Sequence, residues 1–203
     1  KLSRLKLKKY KPMDKIFIVA NWKMNGDSQF NTQLIKTINQ KLHENKAIEV
    51  IICPPFPYID QINRLKLPFI KIGGQNMSKY ENGAFTGEVS ASILQDMKMD
   101  YIIVGHSERR QIFNETNSIL SQKFNLAHQY NLKPILCVGE TLDERKNDQT
   151  IRIIETQIQS IIENTDPSLF ANSIIAYEPV WAIGTGETAS PEMAEEVHSN
   201  IRK

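Results

Sequence analysis

Three kinds of reactive side chain stand directly behind strand-like apolar runs in this chain. Asn21 and Lys23 follow the first run, His106 with Ser107 and Glu108 follows the fourth, and Glu178 follows the sixth. A carboxylate can take a proton, an imidazole can give or take one near neutral pH, and an ammonium supplies a fixed positive charge. Brought together, Glu178, His106 and Lys23 would set a base, an imidazole and a cation around one spot. That set suits moving a proton while negative charge develops nearby. Taken alone, each has an ordinary alternative. A histidine at a strand end is commonly a structural residue, a loop lysine a solvated charge, and a glutamate before proline a loop carboxylate. Their joint placement raises them above that background. His43, His128 and His198 fall in helical segments and read as surface or half-buried residues.

The placement depends on the elements that carry these residues. The apolar runs are Ile16–Ala20, Glu49–Cys53, Phe69–Ile72, Tyr101–Val104, Pro134–Val138 and Ser173–Tyr177. Short, near-continuous runs rich in β-branched residues are the pattern of parallel strands buried on both faces. Between them lie narrow apolar stripes at helical spacing: Leu34, Ile38 and Leu42; Leu120, Phe124 and Ala127; Ile151, Ile154, Ile158 and Ile161; Met193, Val197 and Ile201. Each stripe buries one side of a helix and leaves the other wet. Alternating strand and helix predicts a parallel sheet with right-handed crossovers. The longest strand-to-helix connection, from Gly73 to about Glu88, is rich in Gly, Asn and Ser, and a loop of that length in a compact unit usually has a function.

Periodicity alone does not separate a doubly wound sheet from a barrel. The doubly wound option requires a glycine-rich phosphate turn after its first strand, whereas Asn21-Trp22-Lys23-Met24-Asn25 follows here. A GxGxxA match at Gly184, Gly186 and Ala189 lies well past its strand and reads as fortuitous. In a (β/α)8 barrel the carboxyl ends of all strands meet at one face, which would bring the reactive residues together.

Composition narrows the function classes. With 40% hydrophobic residues the chain can build a core but not membrane spans. Lys plus Arg number 25 against 23 acids, a net charge of +2, which leaves no nucleic-acid footprint. Charge is locally uneven only in residues 1–12, where Lys1, Arg4, Lys6, Lys8, Lys9 and Lys11 have no acid among them. One reading is a targeting or membrane-surface arm; because the stretch lacks the apolar segment of a signal peptide, it reads rather as a disordered extension upstream of a start at Met13, before a barrel domain at 13–203. Cys53 and Cys137 form no CxxC pair, and the histidines complete no metal pattern. They read as two buried free thiols in a reducing compartment, a disulfide between them being the alternative.

The strings around these residues carry a resemblance. Asn21-Trp22-Lys23-Met24-Asn25, Gly74-Gln75-Asn76 with Gly83-Ala84-Phe85-Thr86-Gly87-Glu88, Gly105-His106-Ser107-Glu108-Arg109-Arg110, Cys137-Val138-Gly139-Glu140 and Ala176-Tyr177-Glu178-Pro179 through Gly186 occur in one order. In that order and spacing, the chain from about Lys15 to Lys203 closely resembles the triosephosphate isomerase family. The resemblance implies a TIM (β/α)8 barrel, with about six of its eight βα units here and the C-terminal two missing. It also implies a cytoplasmic enzyme of glycolysis and gluconeogenesis that interconverts dihydroxyacetone phosphate and glyceraldehyde 3-phosphate. No cofactor or metal is implied.

Residue by residue, the resemblance makes Glu178 the base, His106 the group that polarises the carbonyl, and Lys23 the charge facing enediolate and phosphate. A neutral His106 imidazole, disfavoured as a cation by the N-terminus of the next helix, is an established trait of the family. Asn21 would donate to a substrate oxygen, Glu108 would be a pocket acid, and Gly184 would offer its N–H to the phosphate when the lid Pro179–Gly186 closes. Trp181 would be the apolar anchor of the lid hinge. The loop Gly74–Glu88 would be a dimer finger, placing Thr86 against Asn21 and Lys23 of a second copy, with Glu88 and Arg109 paired within one subunit. The family barrel is about 250 residues long, which leaves three alternatives open. The sequence is part of a longer enzyme, a second polypeptide completes it, or it is an incompetent barrel fragment with a binding or structural role.

Overall fold

A computed structural model describes residues 15–42 and 47–203. The basic stretch 1–12 and His43 therefore lie outside the described residues. Six strands appear among the described residues: β1 (Ile16–Asn21), β2 (Ile48–Cys53), β3 (Ile70–Gly74), β4 (Tyr101–Val104), β5 (Lys133–Val138) and β6 (Ile174–Tyr177). They form one sheet in the order β1-β2-β3-β4-β5-β6, every neighbouring pair parallel. Registers such as Ile18↔Val50, Ile52↔Ile72 and Val104↔Leu136 set apolar residues side by side.

Helices alternate with the strands. Among the described residues the four longer ones are those whose stripes are visible in the sequence, and four shorter ones lie in the connections. In chain order the α-helices are α1 (Ser28–Leu42), α2 (Ile59–Arg64), α3 (Ala91–Asp96), α4 (Ser107–Ile112), α5 (Asn117–Gln129), α6 (Leu142–Lys146), α7 (Thr150–Ile162) and α8 (Pro191–Ile201). Local chemistry starts several of them. The Thr116 side chain accepts from Ile119 N–H, Thr141 and Glu144 form a reciprocal capping box, and Ser190 accepts from Met193 N–H with Pro191 in the first turn. Such caps satisfy N–H groups that the helix leaves open.

Two apolar clusters divide the core. The larger lies between sheet and helices, where Val50, Ile52, Ile72, Ile102, Val104 and Leu136 meet Ile35, Leu94, Leu120, Phe124 and Ile154. The smaller lies on the opposite face: Ile51 and Cys53 from β2, Tyr101 and Ile103 from β4, Ile135 and Cys137 from β5, with Phe17, Ile174 and Ala176 packed against it. Residues of β1, β2, β4, β5 and β6 can share one cluster only if the sheet curls toward that face. The Tyr101 hydroxyl donates to the Glu49 carboxylate, spanning from β4 to β2 across β3. The result is a curled half-barrel of the TIM type, with β1 and β6 as its two edges; on β1, Ile16 is 61% exposed and Ile18 48%.

Cys53 and Cys137 are free and buried, so the disulfide alternative does not hold. Burial pushes the Cys53 thiol up to about 12. Among the described residues no helix is long and apolar enough to cross a membrane.

Candidate active site

The carboxyl ends of β1, β4 and β6 deliver Lys23, His106 and Glu178 to one continuous set of contacts. Lys23 Nζ donates to Glu108 Oε1 at 2.7 Å. The other Glu108 oxygen lies 3.5 Å from His106 Nδ1. On the far side of the ring, Nε2 lies 3.3 Å from Glu178 Oε1. Asn21 joins through its carboxamide oxygen, which accepts from the Lys23 N–H at 3.0 Å. Five of the residues expected from the sequence therefore meet in the fold.

Each is positioned by identifiable local structure. Lys23 has a left-handed backbone with φ 52°, a conformation that costs a non-glycine residue on the order of 1–3 kcal/mol unless its surroundings hold it. His106 caps α4, and its Nδ1 accepts from Glu108 N–H at 3.3 Å. With that lone pair engaged, the ring proton of the uncharged imidazole sits on Nε2, the nitrogen that faces Glu178. Glu178 Oε2 accepts a long bond from Ser107 N–H at 3.4 Å. Its own N–H donates to Val138 O at 2.8 Å, continuing the β5–β6 ladder. This approach requires a glycine at 139, since a Cβ there would lie 1.8 Å from the Glu178 carbonyl oxygen.

The site is enclosed at one end and open at the other. The His106 side chain is 8% exposed and that of Glu178 21%, against 38% for Lys23 and 40% for Glu108. A ligand can reach the ammonium from solvent while the imidazole works in a drier setting, where electrostatic effects are stronger.

Two residues expected at the site stand apart from this network. Gly184, with φ 72°, is exposed, and nothing lies within 4 Å of where its Cβ would be. Thr86 is exposed on the long loop. One expectation is corrected: Arg109 pairs with Glu115, not Glu88, its Nε 2.6 Å from Glu115 Oε1. The same oxygen also binds the buried Lys123 at 2.6 Å, which gathers both cations around Glu115. Lys123 in turn donates to Asn76 Oδ1 at 2.7 Å, tying the long loop to α5.

The role of Glu140 was not read from the sequence. It is fully buried, and its Oε1 accepts from Tyr177 Oη at 3.0 Å, Trp181 Nε1 at 3.0 Å and Arg145 Nη1 at 3.1 Å. It roots both ends of the stretch that carries Glu178. Trp181 is thus also fastened by a polar bond through its indole N–H. Burial and the Glu140 carboxylate raise the Tyr177 phenol above its ordinary range. The only sequence signal was the string Cys137-Val138-Gly139-Glu140, in which nothing marks the glutamate as buried.

Comparison with known proteins decides the family. The triosephosphate isomerase family model matches residues 16–203. The chain belongs to the triosephosphate isomerase family. It is 44% identical over 187 residues to triosephosphate isomerase of Nitrosomonas europaea, covering 92% of this chain and 74% of the relative. The triosephosphate isomerase of Rhodopirellula baltica is 46% identical over 190 residues, with 93% and 75% covered. That of Alcanivorax borkumensis is 46% identical over 186 residues, with 92% and 74% covered. Triosephosphate isomerases are isomerases, and the described half-barrel carries all the polar side chains that the sequence assigns to the reaction.

Proposed function

We propose that this site interconverts dihydroxyacetone phosphate and glyceraldehyde 3-phosphate by proton transfer through an enediolate. The observation that carries the reading is the contact set Lys23–Glu108–His106–Glu178 at the open end of the half-barrel. Glu178 takes the proton from the carbon beside the carbonyl. His106 Nε2–H faces the carbonyl oxygen, and Lys23 holds the negative charge that forms there and on the phosphate. Returning the proton to the neighbouring carbon completes the isomerisation, and microscopic reversibility lets the same groups serve both directions. Asn21 and the Gly184 N–H are assigned to the substrate oxygens and phosphate. Closure of the loop Pro179–Gly186 excludes water, which protects the enediolate from losing its phosphate.

A homodimer formed through the loop Gly74–Glu88 belongs to this reading. Its support is a stiff, exposed tip: the Tyr80 and Phe85 rings stack at 3.9 Å, and they are 42% and 39% exposed. Beside Lys23, Met24 is 95% exposed and offers a counter-surface. A cytoplasmic setting accords with the two free thiols. No observation favours a non-catalytic fragment with a binding role.

The test is turnover of glyceraldehyde 3-phosphate by the intact protein, compared with its Glu178→Asp variant. The shorter arm withdraws the base from the reacting carbon, so kcat should fall by about 100-fold or more while KM changes little. A loss confined to KM would remove Glu178 from the role of base.

A further inference from the structure

We infer that Gln75 is a positioning residue for Lys23, holding its strained backbone so that the ammonium faces the substrate. The inference rests on the reading of Lys23 as the substrate-facing cation.

The geometry begins with the strain. Lys23 sits at φ 52°. Its N–H is taken by Asn21 Oδ1 at 3.0 Å. Its C=O accepts from Gln75 Nε2 at 2.8 Å. The same nitrogen donates at 2.9 Å to the carbonyl of Cys53, the last residue of β2. Cys53 O also accepts from Trp22 N–H at 3.1 Å, so one carbonyl anchors the turn before Lys23 and the bracket behind it.

Chemistry fixes which end of the carboxamide lies here. Both partners are carbonyl oxygens, which only accept, so the NH2 group must face them and spend both of its protons on them. No carboxylate, hydroxyl or thioether supplies two N–H bonds from one planar nitrogen. The sequence places Gln75 for this task through Gly73 and Gly74, which end β3. A Cβ at Gly73 would lie 2.6 Å from Cys53 Sγ, and one at Gly74 would lie 2.7 Å from Ile102 Cδ1. The two glycines let β3 run close beside β2 and β4 and bring residue 75 beneath the turn. Lys23 is thereby locked on three sides: Asn21 at its N–H, Gln75 at its C=O, and Glu108 at its ammonium.

The experiment uses Gln75→Met and Gln75→Glu in the intact protein, with glyceraldehyde 3-phosphate as substrate. Met keeps the length and removes both donors. It should lower kcat/KM by about 10- to 100-fold, mostly through KM, since displacing a positioned charge by about 1 Å is that costly. Glu sets a carboxylate against two carbonyls; protonation restores one donor and relieves the repulsion. Its KM, divided by that of the parent protein at the same pH, should fall from about pH 8 to about pH 5.5, because such surroundings favour the neutral acid. A residue that served folding alone would lower the melting temperature and leave that ratio flat. A crystal structure of Gln75→Met should show Lys23 out of the left-handed region or its ammonium away from Glu108. The inference is overturned if Gln75→Met keeps KM within twofold, if the Gln75→Glu ratio does not move with pH, or if Lys23 keeps its φ and its Glu108 contact. The structural arm answers without any turnover, whereas a parent protein without isomerase activity would count against the proposed function alone.

Discussion

Trp181 donates its indole N–H to Glu140 Oε1 at 3.0 Å, so the loop that follows the proposed base is fastened to a carboxylate with no solvent exposure. Arg145 binds the same oxygen, and its guanidinium lies over the Trp181 ring at 5.4 Å. Trp181→Phe retains the ring and loses the bond. Turnover should fall several-fold and the unfolding free energy by about 1.5–3 kcal/mol, the worth of a bond to a charged acceptor, since phenylalanine retains the packing but not the donor. Glu140→Gln weakens all three bonds and should lower unfolding free energy by about 2 kcal/mol in a urea titration. If both variants behave as the parent does, the fastening has no function.

At the opposite end of the half-barrel, Glu49 should shape the acid limb of stability. Burial alone would raise its carboxyl, but hydrogen bonds from Lys15 and Tyr101 outweigh that and lower it from its ordinary 4.5. Between the lowered folded value and the ordinary unfolded one, the unfolded chain binds more protons. The contribution is therefore complete above about 4.5 and fades as the pH falls through the folded value. Glu49→Gln should be less stable than the parent near neutrality, and the gap should close as the pH falls through the lowered folded value. A gap constant with pH would show that Glu49 acts through packing.

Asn31 points the other way, toward a gain. It is 0% exposed, and neither its Oδ1 nor its Nδ2 finds a hydrogen-bond partner among the described residues. Leucine branches at the same atom and has nearly the same shape. Asn31→Leu should raise the unfolding free energy by about 1–3 kcal/mol, the cost of an unbonded buried amide. Loss of stability in the same titration would mean that the amide has a partner after all.

The long loop should govern assembly. Replacing residues 76–84 by a tight turn removes Tyr80 of the exposed stack and the Asn76 contact with Lys123. Sedimentation should then give monomers, with isomerase activity reduced by about 100-fold or more as the turn around Lys23 loses its brace. An unchanged, fully active dimer would refute the finger assignment.

Much of this was legible because β2, β4 and β5 are buried on both faces, and such strands leave unbroken apolar runs. The ends differ by one or two residues: Asn21 belongs to β1 and Gly74 to β3. Helices α2, α3 and α4 have 6 residues each and α6 has 5, less than two turns, so no repeating stripe could reveal them. Lys23, His106 and Glu178 were legible because strand ends converge in a barrel whatever the loops do. The supporting shell was not. Glu140 meets Tyr177 and Trp181 at separations of 37 and 41 residues, and no local pattern encodes such a meeting. The Glu88–Arg109 pair failed for a related reason: Arg109 finds Glu115 only because the chain folds back after α4, with Lys123 approaching from α5.

The sheet order β1-β2-β3-β4-β5-β6 has a consequence for synthesis on the ribosome. Every strand pairs with the one made just before it, so each unit can dock on its predecessor as it emerges, without waiting for a distant partner. The reactive groups do not share this locality. Ser107, beside the imidazole, precedes Glu178 by 71 residues. At roughly 5–20 residues per second, some 4–14 s of translation separate them. Throughout that interval the nascent chain holds His106 and Lys23 without the proposed base, and the proposed set is complete only once Glu178 follows β6.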